Sequence, residues 1–478
     1  MAPLASTRRR RLALALGAAI LAAAAGLVVI GTSGGTGRPP PPVPGTARPA
    51  RSGNPFAYVA SRQAEFVARA TAGNAHVLFV KSPGGVLATA ARVAAFRPLI
   101  DAAAAGTNID PDLLEGIVFL ESAGRPNVIA GGDPADAAGL TQILAQTGQS
   151  LLGMNIDIGR SRRLTSAIAR ASALGNGTLV ARLERRRAGI DERFDPRKAL
   201  AATVRYLEVA QQRFGREDLD VVSYHMGIGN LEQVLAEYDG GRAVPYVQLF
   251  FDTAPDRHAA AYDLLAGFGD DSRLYYWRVL GAVAIMRLYR TDRAALARTA
   301  ALQIAVDSSA EVLHPPDVTP PFADPGALYD AYAKRILVPL PSNAAELGLA
   351  YDPGMGALAP QLGVSPAIYR GLRPAAFDML IELAARVRAL SGKAAPLTVA
   401  SAVTDDRYQQ QLGVADPPDA TGYTFTIARR YVSRRQVLAF QAMLDRLQAL
   451  NLIAWQRFSS VIEVTVASDA SQAIAEGA

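Results

Sequence analysis

The 478-residue chain contains no cysteine. Disulfides, a thiol nucleophile and a lipid-modified N-terminal cysteine are therefore excluded, and cysteine usage says nothing about compartment. Histidine is scarce too: its four copies, at 76, 225, 258 and 314, lie far apart in sequence. No histidine-rich ligand set can be read from such spacing. Charge is modest, at 19% of residues, with a net +6. Arg8 to Arg11 supply four of those charges and leave +2 for the rest. So weak a balance does not point to nucleic acid as a partner. What is plentiful is apolar surface, half of all residues. With this length, that composition predicts two or three globular domains rather than disorder.

The longest uncharged run, 12–30, comes directly after the four arginines. At about 1.5 Å per residue it nearly spans a bilayer core of roughly 30 Å. The flanking arginines keep residues 1–11 in the cytoplasm and send the rest of the chain across the membrane. A cleaved signal peptide is the alternative, but its apolar core is typically about 7–15 residues, so the longer run favours a retained anchor. Residues 31–55 are rich in Pro and Gly and predict an extended, semi-rigid linker.

The stretch Ile109 to Gln146 organises the rest of the chain. Asp110-Pro111 is a helix start: an Asp that can cap, then a Pro whose missing N–H suits the first turn. Leu113, Leu114, Ile117, Val118, Leu120 and Glu121 recur on one face at helical spacing, and Gly124 and Pro126 end the helix. Glu121 thus stands at the C-terminal end of an apolar stripe. Desolvation and the negative end of the helix dipole both disfavour its charged form, which is the condition a general acid needs near neutral pH. A loop with Gly131, Gly132 and Pro134 leads to Gly139-Leu140-Thr141-Gln142, where a second helix is expected to begin. Further on stands Ser223-Tyr224-His225-Met226-Gly227.

Glu121-Ser122, GLTQ at 139–142 and SYHMG at 223–227, in that order, resemble three motifs of the soluble lytic transglycosylase family, which has a lysozyme-like helical fold. Thr141 stands where the family has Met, and His225 where it has Asn. The resemblance implies that Glu121 is the catalytic acid and that Ser122, Gly139, Gln142, Tyr224 and His225 contact the glycan or orient Glu121. It implies cleavage of the β-1,4 bond between N-acetylmuramic acid and N-acetylglucosamine in peptidoglycan glycan strands, with a 1,6-anhydro product and no metal or organic cofactor. Two other readings stay open: a hydrolytic muramidase, and a glycan-binding scaffold without activity. An anchored enzyme of this kind would work on the extracytoplasmic side, in a cell-wall synthesis or remodelling complex.

Between GLTQ and SYHMG, Arg160 to Lys198 holds eleven Lys/Arg against four Asp/Glu. Such a run is commonly a solvated helix face; alternatively it forms a cationic rim for an anionic wall polymer. Residues 56–69 and 86–105 read as helices, as does 244–299 with its aromatic run Tyr275-Tyr276-Trp277. The short apolar run 77–80 fits neither helix nor strand. The transglycosylase-like domain is expected over 56–305.

A second Pro-rich break, 306–325, separates this domain from 326–478. Beyond it helices (374–390, 436–450) mix with strands (396–401, 461–466), an α+β texture. It resembles the zinc D-alanyl-D-alanine carboxypeptidase-like family with its ligands lost. Asp419 and Glu463 stand where that family has its two histidines, Thr426 where it has Asp, and Thr404 near its substrate-binding Arg. Zinc prefers imidazole and thiolate, so a degenerate, non-peptidase domain is expected. The predicted fold class is mainly α: an N-terminal transmembrane helix, a lysozyme-like helical domain, then a smaller α+β domain.

Overall fold

The computed structural model describes residues 39–51, 53–305, 308–392 and 396–477. The expected transmembrane run at 12–30 lies outside these residues. Among the described residues no helix is long and apolar enough to cross a membrane. The chain divides into two compact units, Tyr58–Ile304 and a second made of 305–477 together with 39–57. The first is helical, and the second contains the sheets.

The first unit is built around the helix Pro111–Ser122. The Asp110 carboxylate accepts from the Asp112 N–H at 2.8 Å, and Pro111 occupies the first turn. Ala123, in the left-handed region at φ 54°, closes the C-terminus. The expected single apolar face proves too narrow a description. Every residue from Leu113 to Phe119 is buried. Leu114 and Val118 pack with Leu200, Val204 and Met286. Leu113 and Ile117 enter a second cluster with Ile143, Leu207 and Val279. A helix buried on every side over two turns belongs in a core, and each fully buried Leu, Ile or Val contributes roughly 1.5–3 kcal/mol.

The neighbour that matters most is the helix Tyr275–Thr291, packed along Pro111–Ser122. Gly116 makes this possible, because a Cβ there would stand 2.9 Å from the Val279 carbonyl oxygen. Glu115, fully buried on the same helix, is paired with Arg97 at 3.2 Å and Arg290 at 2.5 Å. Without those guanidiniums a buried carboxylate would be severely destabilising.

Several local expectations change. Residues 86–105 form two helices, Val86–Ala94 and Arg97–Ala104, with Pro98 in the first turn of the second. The unassigned run 77–80 lies in the short helix His76–Val80. The long helical stretch 244–299 breaks into Tyr246–Asp252, Ala259–Gly267, Gly269–Arg273, Tyr275–Thr291 and Arg293–Gln303. GLTQ does not start a helix. Ala138 and Ile143 exchange backbone hydrogen bonds around it, Gln142 sits at φ 51°, and the next helix begins only at Ala145.

In the second unit, β1 (Val338–Pro339) pairs with β3 (Gly371–Leu372). The main sheet joins β2 (Leu349–Tyr351), β4 (Leu397–Ser401), β5 (Thr424–Ala428), β6 (Ile453–Arg457) and β7 (Val461–Val466) in the order β2-β4-β5-β7-β6. Only β2 and β4 run parallel. Helices Pro374–Ser391 and Arg434–Ala449 pack on each other. Both Pro-rich stretches read as linkers are partly bound into this unit. Ser342 N–H donates to the Gly45 carbonyl, Ala47 N–H donates to Asn343, and Arg386 donates to the Arg51 carbonyl. His314, from the second stretch, is buried with Nε2 2.6 Å from the Val466 carbonyl and its ring stacked on Tyr423.

Candidate active site

Glu121 lies in the last turn of Pro111–Ser122, partly exposed at the end of a helix otherwise buried in the core. Burial raises its carboxyl to about 7. The opposing influence is a hydrogen bond: the Tyr275 hydroxyl donates to Glu121 Oε1 at 2.6 Å. Among the described residues no second hydrogen bond engages Glu121, and no charged neighbour figures in its shift. One carboxyl oxygen is therefore fixed by a donor while Oε2 is left for the proton. Near neutral pH the group can deliver that proton, and as a carboxylate it can take one back.

Tyr275 is 1% exposed and is the first residue of its helix. It belongs to the aromatic run visible in the sequence, but nothing there separated a core ring from a ring facing the acid. Tyr224 stacks beside it, with centroids 6.4 Å apart and planes 23° apart. The Tyr224 hydroxyl donates to the Thr141 carbonyl at 2.8 Å and lies 3.2 Å from Thr203 Oγ1. Burial and the nearby Glu121 raise both tyrosines well above the usual phenol range, so both remain neutral donors. Tyr224 thus joins the GLTQ turn to the wall that holds Tyr275.

His225, at the end of helix Glu217–Met226, is exposed at the same edge. Its ring is 5.1 Å from Tyr275 and its Nδ1 is 3.0 Å from Ser272 Oγ. Although the residue as a whole is exposed, its ring is partly desolvated against Tyr275, which lowers its pKa, partly offset by Asp271, so it is neutral at pH 7.

The other three motif residues are occupied with structure. Ser122 is 1% exposed and donates to the Val118 carbonyl, so its hydroxyl is turned into its own helix. Gln142 donates to the Val128 and Gly139 carbonyls, holding its turn in shape. Gly139, at φ 85°, packs so closely on the Arg193 carbonyl that a Cβ would collide with it.

Arg193 was missed in the sequence because it lies in a basic run that looks solvent-facing. It is fully buried, paired with Asp191, and donates to the carbonyls of Pro134 (2.6 Å), Asp136 (2.8 Å) and Ile143 (3.2 Å). One guanidinium therefore gathers both ends of the loop carrying Gly139 and Gln142. Arg187 is buried too, with its guanidinium 3.7 Å from the Phe194 ring centroid and Nη2 3.1 Å from Asn127 Oδ1.

Residues 98–179 match the family model described as the transglycosylase SLT domain. The match takes in Glu121, Ser122, Gly139 and Gln142 and reaches into the helix Gly177–Ala188. Tyr224, His225 and Tyr275 lie beyond it. The SLT match supports a lysozyme-like fold and a lytic transglycosylase type of enzyme for this part of the chain. Among curated proteins, none matches the chain.

In the second unit Asp419 and Glu463 do meet, and Asp416 joins them, with carboxylate oxygens of all three within 4.8 Å of one another. Thr426 is registered opposite Glu463 and its hydroxyl lies 2.9 Å from Ser401 Oγ. With no imidazole or thiolate, this donor set does not fit zinc. Three carboxylates are the kind of donors that a hard, oxygen-preferring cation uses.

Proposed function

We propose that the unit Tyr58–Ile304 is a peptidoglycan lytic transglycosylase that cleaves the bond between N-acetylmuramic acid and N-acetylglucosamine. The observation that carries this reading is the carboxyl of Glu121, raised to about 7 by burial and held by a hydrogen bond from Tyr275. Paired-carboxylate glycosidases need a second acid to activate water or attack the sugar. Here the substrate supplies the nucleophile. Glu121 gives its proton to the glycosidic oxygen, and the departing N-acetylglucosamine leaves with the bonding pair. Positive charge develops on the muramic ring, where the sugar's own 2-acetamido group assists. The muramic 6-hydroxyl then attacks C1 and returns its proton to Glu121, which restores the enzyme and leaves a 1,6-anhydro end. An intramolecular nucleophile gains from proximity what a free water would lose in entropy. Tyr275 orients the carboxyl, Tyr224 and Gln142 shape the cleft wall, and His225 offers a neutral imidazole to the sugar.

On this reading residues 12–30 anchor the protein, both units work on the extracytoplasmic side, and the second unit is a carboxypeptidase-like domain without zinc chemistry. The deciding test is mass spectrometry of fragments released from purified peptidoglycan by the full-length protein and by Glu121→Gln. Products one water lighter than hydrolytic fragments, absent with the variant, are expected. Reducing muramic ends would make the protein a muramidase. Retained activity in Glu121→Gln would remove the acid from the mechanism.

A further inference from the structure

The basic segment of the sequence splits into two populations in the structure. Arg187 and Arg193 turn inward and hold the loop beside Glu121. Seven of the others stand on a helical hairpin, Ile158–Ala173 and Gly177–Ala188, whose two arms pack on each other, and Arg197 and Lys198 open the next long helix, Pro196–Phe214. Between 158 and 188 the chain has eight arginines, no lysine, and one acid, Glu184. That is +7, more than the net charge of the entire protein.

Arg163, Arg170, Arg182, Arg185 and Arg186 are all exposed, and among the described residues none of the five makes an ion pair or a side-chain hydrogen bond. On the second arm Arg182, Arg185 and Arg186 stand at i, i+3 and i+4, a stripe of like charge. On the first, Arg163 and Arg170 share a face two turns apart. The like-charge pairs Arg182–Arg185 and Arg182–Arg186 each destabilise a helix by roughly 0.2–0.5 kcal/mol, which offsets the favourable placing of Arg185 and Arg186 in its last turn. Arg162 pairs with Asp133 at 2.8 Å and Arg187 reaches Asn127, which fastens the base of the hairpin to the segment between Glu121 and Gly139, and Asp157 N–H, donating to the Ile190 carbonyl, ties the two ends of the hairpin together.

We infer that this hairpin is a docking arm for the carboxylate-bearing peptides carried by the same polymer that the cleft cleaves. The inference rests on the proposed function for the identity of that polymer. Guanidinium forks match carboxylates in a bidentate manner that ammonium groups do not, and the hairpin uses arginine exclusively. Its base is tied to Asn127 and Asp133, on the segment that leads from Glu121 to Gln142, so on the proposed reading a glycan held at Glu121 carries its side peptides near the arm. A lipid surface is the weaker fit. The one large exposed apolar residue at the tip is Leu174, and one such side chain buries only about 1.5–3 kcal/mol of apolar contact.

The test uses the full-length protein and a variant with Arg163, Arg170, Arg182, Arg185 and Arg186 all changed to Gln, a residue of similar helix propensity. Binding is measured by co-sedimentation with intact peptidoglycan, with the same glycan stripped of its peptides, and with phosphatidylglycerol vesicles, across a range of salt. The wild type should bind the peptide-bearing wall more weakly as salt rises. The variant should bind it about tenfold more weakly at low salt, with a flattened salt dependence, while its melting temperature and its binding to stripped glycan stay close to wild type. Equal binding of the two proteins to intact wall overturns the proposal. So does an equal loss on stripped glycan, or a loss confined to the vesicles. If the wild type cleaves nothing, the transglycosylase reading fails by itself, and the difference between intact and stripped wall still decides the arm.

Discussion

The Tyr275 hydroxyl donates to Glu121 Oε1 at 2.6 Å, joining residues 154 positions apart across two helices that approach closely at Gly116. The bond favours the ionised carboxyl, whereas burial disfavours it, and burial wins. Tyr275→Phe removes the favourable partner and keeps the ring. The carboxyl should then rise above about 7. The alkaline limb of kcat/KM should move to higher pH, while the maximal rate falls by roughly 10- to 100-fold through loss of orientation. A pH–rate profile checks both. A limb that stays in place, or moves down, would show that the hydroxyl does not act on Glu121.

Glu121 is also a stability liability with a definite sign. Its folded value of about 7 lies above the ordinary 4.5, so between those values the folded state holds a proton that the unfolded state has lost. Stability contributed by the protonated form is complete below pH 4.5 and declines as pH rises towards 7. Glu121→Gln should therefore melt higher than wild type at pH 8 and equally at pH 4. The gain should be about 1–2 kcal/mol, given the partial exposure of the group. Thermal melts at the two pH values decide; a gain at pH 4 as large as that at pH 8 would contradict it.

Asp220 should behave in the same way without touching catalysis. It is 1% exposed, among the described residues neither carboxylate oxygen has a hydrogen-bond partner, and burial with Asp218 and Glu217 nearby raises it from 3.8 to about 7. Asp220→Asn removes a charge that the native state holds poorly. The expected stabilisation is about 2–3 kcal/mol at pH 8, fading towards pH 4. Denaturant midpoints at both pH values test it, and a loss of stability at pH 8 would mean that the carboxylate has a partner in solution.

Arg193 is the opposite case. Arg193→Ala leaves Asp191 buried without its cation and releases the carbonyls of Pro134, Asp136 and Ile143. Breaking such a pair costs about 3–5 kcal/mol. Protease nicking between 131 and 143 should increase in the variant before global unfolding is detected. A variant whose loop stays as resistant as wild type would show that Arg193 does not hold it.

Gly139→Ala tests the same contact from the other side. A methyl group here meets the Arg193 carbonyl and also requires a left-handed backbone at φ 85°. A loss of at least about 2 kcal/mol is expected, with KM rising more than kcat falls, because the displaced part is the turn 139–142 rather than the acid. An unchanged melting temperature would refute the close packing.

The sequence by itself determined the helix Pro111–Ser122, because a capping Asp, a first-turn Pro and the Gly124 and Pro126 just beyond its end are local signals that act through neighbouring backbone groups, although the residue that closes it is Ala123. It also determined that Glu121 ends an apolar helix, and therefore the direction of its pKa. The α+β texture of the second unit was legible for the same reason, since β4, β7 and both long helices carry their own periodicity. Tertiary structure alone decided what surrounds the acid. Tyr275 reaches Glu121 only because Gly116 lets two distant helices approach, and an aromatic run looks the same in sequence whether it faces core or cleft. Likewise Arg193 and Arg186 are indistinguishable as letters in one basic segment. One is fully buried and bonded to three carbonyls and the other points into solvent, and the difference is set by which loop folds over them. Local hydrogen bonding and periodicity are written in the chain; burial and partnership across more than a hundred residues arise only when the core closes.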